Sequence, residues 1–88
     1  MDQRKSLMET LVMLARQAPD RGANLEIARR AIDGHFVLIG SNREVQRSEL
    51  EWIQEAIGER VKQDSNLSKF FEHIHDIINA RLSQLDYD

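Results

Sequence analysis

Leu67-Ser68-Lys69-Phe70-Phe71-Glu72-His73-Ile74-His75-Asp76-Ile77-Ile78-Asn79-Ala80-Arg81-Leu82-Ser83-Gln84-Leu85 carries apolar residues at 67, 70, 71, 74, 77, 78, 82 and 85. Steps of three and four are the signature of a helix with one buried face, so this stretch predicts an amphipathic helix of about five turns, over 66–84. Upstream, Leu50, Ile53, Ile57 and Val61 repeat the spacing and predict a helix over 49–62, with Gly58 weakening its last turn. Leu25, Ala28, Ile32, Phe36 and Ile39 predict another over 25–39, closed by Gly40. Leu7, Met8, Leu11, Val12, Leu14 and Ala15 fall in one broad arc and predict a first helix over 7–18. The expected architecture is all-α: a single domain over 1–88, resembling a four-helix bundle, with the second and fourth helices supplying most of the core.

Local signals set the expected boundaries. Ser6 with Glu9, and Ser48 with Glu51, have the spacing of capping boxes, in which each side chain satisfies an amide left open at a helix start. Asn24 is placed to cap the second helix. Pro19 to Asn24 has the chemistry of a turn, and 41–48 reads as a polar linker. The run Phe36-Val37-Leu38-Ile39 also suits a short strand, but no second strand offers itself as a partner, and helix is preferred.

Length and composition narrow the function. The chain has 88 residues and no cysteine, so one small core must be stable without disulfides or thiolate metal sites. Self-association is the remaining means of burying more apolar surface. Residues 1–47 carry a net charge of +2 and residues 48–88 a net −5. An acidic chain lacks the broad positive field that nucleic acid requires, which argues against a nucleic-acid partner. No apolar run approaches the roughly 18 residues of a membrane span, so no membrane partner is expected and the chain reads as cytoplasmic.

The residues that first suggest chemistry have plainer readings. His73 and His75 lie two apart and point to different sides of a helix, so they cannot share an ion. Glu72, His75 and Asp76 have better spacing, but a di-metal bundle needs a second Glu-x-x-His that the chain lacks. His35 reads as a partly buried core histidine, and Gly22, Gly34, Gly40 and Gly58 are isolated rather than gathered in a phosphate loop. The expectation is a non-enzyme with no catalytic residue, metal or cofactor. A helix-turn-helix placement would present Glu49, Glu51, Glu55 and Glu59 to the phosphate backbone, which opposes it.

Interface residues stand out instead. Trp52 lies about 200° around the helix from Leu50 and is expected to face away from the core. Ile27, Ala31 and Leu38 form a second strip on the second helix, expected to point the same way. Trp52, Ile27, Ala31 and Leu38 together are the candidate interface of a homodimer, since tryptophan is enriched at binding hot spots.

Over 27–78, Gly40 followed by Val45-Gln46-Arg47-Ser48-Glu49-Leu50, an apolar helix, and then Phe70, Ile74 and Ile77 resembles the small enterobacterial two-component connector and biofilm-regulator family. The resemblance implies a non-enzymatic helical dimer that regulates through protein contacts, with nucleic-acid involvement. The expected function is therefore a small regulatory adaptor that binds a protein partner and itself. The alternatives are a dimeric DNA-binding regulator and a metal-binding helical bundle.

Overall fold

The computed structural model describes residues 3–17 and 22–87, all the way along as helices and short connections. The order is α1 (Gln3–Gln17), α2 (Gly22–Ile39), α3 (Arg43–Gln63), a 3-10 turn (Ser65–Leu67) and α4 (Ser68–Tyr87). The described residues contain no strand, and 36–39 continue α2 as helix. Residues 19–21 of the expected Pro19–Asn24 turn lie outside the described residues, and 22–24 are already helix.

Three helices start earlier than the sequence signals indicated. α1 begins at Gln3, so Ser6 sits inside it and its carbonyl accepts from Thr10 Oγ1 at 3.0 Å; no capping box forms there. α2 begins at Gly22, and Asn24 is not its cap: Asn24 Nδ2 instead donates to the Leu14 carbonyl at 3.1 Å, satisfying a backbone acceptor near the end of α1. The expected linker 41–48 is mostly helix. α3 starts at Arg43 behind Asn42, whose side chain accepts from Val45 N at 3.1 Å, and Ser48 lies well inside it. An Asn three residues before an exposed amide is the stronger cap, because Ser48 is preceded by residues that are already helical.

The other boundaries follow familiar backbone chemistry. Gly40 has φ 99°, a left-handed conformation that glycine adopts without strain, and its N–H donates to Phe36 O at 3.1 Å to close α2. Asp64 ends α3 by donating its N–H to Arg60 O at 2.9 Å, and its carboxylate accepts from Asn66 N at 3.1 Å to start the 3-10 turn.

The core draws on all four helices, rather than mainly on α2 and α4. α1 contributes Leu7, Met8, Leu11, Val12, Leu14 and Ala15, all buried. Ala28, Ile32 and Phe36 come from α2, Leu50, Ile53 and Ile57 from α3, Leu67 from the 3-10 turn, and Phe70, Phe71, Ile74 and Ile78 from α4. α1 packs chiefly on α2, and α3 on α4. α2 is further tied to α4 by Arg81, which pairs with Asp33 and lies 5.2 Å over the Phe36 ring.

Candidate functional site

Glu49 overturns its expected outward placement. It is 7% exposed, and His35 beside it is 5% exposed. Glu49 is one turn before Ile53 and so lies on the inner side of α3, whereas Glu51, Glu55 and Glu59 form the exposed row. The Arg4 guanidinium from α1 donates to both Glu49 oxygens, at 2.8 Å from Nη2 and 3.1 Å from Nε, while His35 Nε2 from α2 lies 2.8 Å from Oε2. One carboxylate thus joins three helices. The Arg4 hydrogen bonds hold its carboxyl below the ordinary value; burial opposes this, and His35 adds to the lowering. Glu49 is therefore the acceptor at neutral pH, and His35 Nε2 carries the proton between them.

Carboxylate and imidazole also make a general-base pair in many enzymes. Arg4 occupies the carboxylate, and the nearby hydroxyl of Thr10 is turned to the backbone of Ser6 rather than to His35. His75 Nδ1 lies 3.1 Å from Asn79 Nδ2, and Asn79 Oδ1 accepts from Gln54 Nε2 at 2.7 Å. His35 is thus a core histidine with a partner, and His75 belongs to a surface hydrogen-bond chain. Among the described residues no group of three or more His, Cys, Asp or Glu is arranged to hold a metal ion. No described helix is long and apolar enough to cross a membrane.

The four candidate interface residues do not share one surface. Trp52 is half-buried against the core, with the Arg4 guanidinium 4.6 Å over its ring, because α1 begins early enough to cover it. It borders a cleft of about 450 Å³ with Met8, Ala56, Glu59 and Arg60. Ala31 and Leu38 line a different groove, of about 570 Å³, between α1 and α2, together with Leu7, Thr10, Gly34 and Val37. Ile27 borders neither, but continues the outer side of α2.

Among the described residues, the exposed large apolar side chains are Ile27, Val37 and Leu38 on α2, Met13 on α1 and Val45 on α3. Val37 is 80% exposed, Leu38 67% and Ile27 48%. Sequence reasoning found Leu38 and Ile27 but passed over Val37 and Gly34, which had been read only as part of an ambiguous run and as an isolated glycine. The spacing of Gly34 from Leu38, four residues, was the available signal. The chain matches no family model, and the comparisons with curated proteins and with solved structures found no match.

Proposed function

We propose that this protein is a non-enzymatic regulatory adaptor that works by binding a protein partner and by pairing with itself. The observation that carries the reading is the exposed apolar side of α2, where Val37 and Leu38 stand in water beside an open groove and Ile27 is exposed further along the helix. Monomers seldom leave large side chains contiguous and uncovered, and two copies related by a two-fold axis cover the same surface twice. The likeness over 27–78 to two-component connectors points the same way. Buried His35 and Glu49 pair with each other, and exposed Arg4 joins them from α1, which ties α2 to its neighbours behind that surface.

Light scattering coupled to size exclusion tests the self-association. Twice the chain mass of 10.2 kDa is expected at tens of micromolar, falling on dilution, and Leu38→Glu should be folded with the mass of one chain. A wild-type mass of one chain at that concentration overturns it.

A further inference from the structure

The groove between α1 and α2 differs from the other clefts in its lining. The cleft between α2 and α4, and the two between α1 and α3, each carry three or four charged side chains, whereas this groove of about 570 Å³ carries none. Its walls are apolar at Leu7 on α1 and at Ala31, Val37 and Leu38 on α2. Gly34 adds no side chain between them, and a Cβ there would meet nothing within 4 Å. His35, 5% exposed, also belongs to the lining.

The His35 ring has one nitrogen committed and one open. Nε2 is bound to Glu49 Oε2 at 2.8 Å, while Nδ1 takes no hydrogen bond from the described residues. Among those residues every sealed side-chain nitrogen or oxygen has a partner, so Nδ1 is not sealed, and the cleft that His35 lines is this groove. With its proton on Nε2, the neutral imidazole presents Nδ1 as a bare acceptor. The bond to Glu49 fixes that tautomer, because the partner of one ring nitrogen decides which of the two carries the proton. Thr10, on the α1 wall, spends its O–H on the Ser6 carbonyl at 3.0 Å and is likewise left with lone pairs.

We infer that this groove binds an uncharged, mostly apolar small molecule carrying one O–H or N–H donor, which His35 Nδ1 accepts. An ion finds no countercharge in the lining, and a pure hydrocarbon would cover the nitrogen and leave it unpaired. A neutral molecule of one or two rings covers the apolar walls and supplies the donor. The volume lies within the roughly 300–1,000 Å³ of small-molecule sites, where many apolar contacts surround a few placed polar groups. The site is built within one chain and does not rest on the pairing proposed above.

Indole, which has the donor, and benzofuran, the same bicycle with oxygen in place of N–H, are the probes. His73→Gln with His75→Gln removes the two exposed histidines and leaves His35 as the one imidazole. With nitrogen-15-labelled histidine at about pH 8, above the ordinary titration range of the ring, indole should shift the Nδ1 resonance saturably, as expected for a nitrogen that gains a hydrogen bond. Benzofuran should bind about tenfold or more weakly. Gly34→Leu places a side chain in the open space of the groove and should abolish the shift while remaining helical, whereas Gly58→Leu on α3 should bind as wild type. The comparison of the two probes stands whether or not either variant folds. Equal affinity for both probes, binding retained by Gly34→Leu, or no saturable shift with indole overturns the inference and leaves the groove a water-filled gap between helices.

Discussion

His35 Nε2 and Glu49 Oε2 lie 2.8 Å apart in the interior, joining α2 to α3 across fourteen positions of sequence. Both groups are nearly out of water, so their cost of burial is offset only while each keeps its partner. Glu49→Gln keeps the shape and removes the charge. It should cost about 1–3 kcal/mol, the scale of a hydrogen bond to a charged group, with the share due to half-exposed Arg4 at the low end. A urea melt at neutral pH checks it, and a loss below the error of the extrapolation would mean that the carboxylate contributes nothing net.

The same residue sets a pH dependence. Glu49 is held below 4.5 in the folded chain and returns to its ordinary value on unfolding. The unfolded state therefore binds the proton more readily, and stability supplied by this group is full above 4.5 and lost as pH falls through the lower folded value. Wild type should lose more stability than Glu49→Gln between neutral pH and the acid limit. Parallel curves for the two proteins would contradict the assignment.

Ile74 is fully buried in the middle of α4, among Phe70, Phe71 and Ile78. Ile74→Ala should cost about 2–5 kcal/mol, the range for truncating a large aliphatic side chain in a packed core. Denaturant titration decides this, and a change under about 0.5 kcal/mol would place the residue outside the core.

Glycines should divide by conformation. Gly58 lies within α3 with nothing near its Cβ position, so Gly58→Ala should stabilise by about 0.5–1 kcal/mol. Gly40→Ala has the same free space but must adopt φ 99°, and should destabilise by about 1 kcal/mol. Thermal melts of the two variants moving in the same direction would be inconsistent with this division.

His75 is exposed and bonded only along the surface of α4. His75→Ala should shift stability by less than about 0.5 kcal/mol and leave bound-metal content unchanged. Elemental analysis showing stoichiometric metal that disappears with the substitution would revive the bundle-metal reading.

Apolar spacing made all four helices and nearly every core position legible: Leu11, Ile32, Ile53 and Ile74 were each on the predicted face and are fully buried. Helix starts were not, because the first turns of α1 and α3 are exposed and polar, and hydrophobic periodicity says nothing there. Ser6 with Glu9 and Ser48 with Glu51 matched a capping pattern that has meaning only where the backbone is not already helical. Glu49 was misplaced by grouping it with Glu51, two residues away and on the opposite side of the helix. Its spacing to Ile53 already put it inside, but only the fold supplied the Arg4 and His35 that make such burial tolerable.

The packing of α1 on α2 and of α3 on α4 means that most contacts are between elements adjacent in the chain. Such topologies fold quickly, within microseconds to milliseconds, since little chain must be closed into loops before contacts form. The Arg4–Glu49 pair bridges 45 positions and joins the two hairpins, so it belongs to the final docking rather than to the early nucleus. Mutations at Glu49 should consequently speed unfolding while scarcely slowing folding, making the buried carboxylate a latch on the lifetime of the native state.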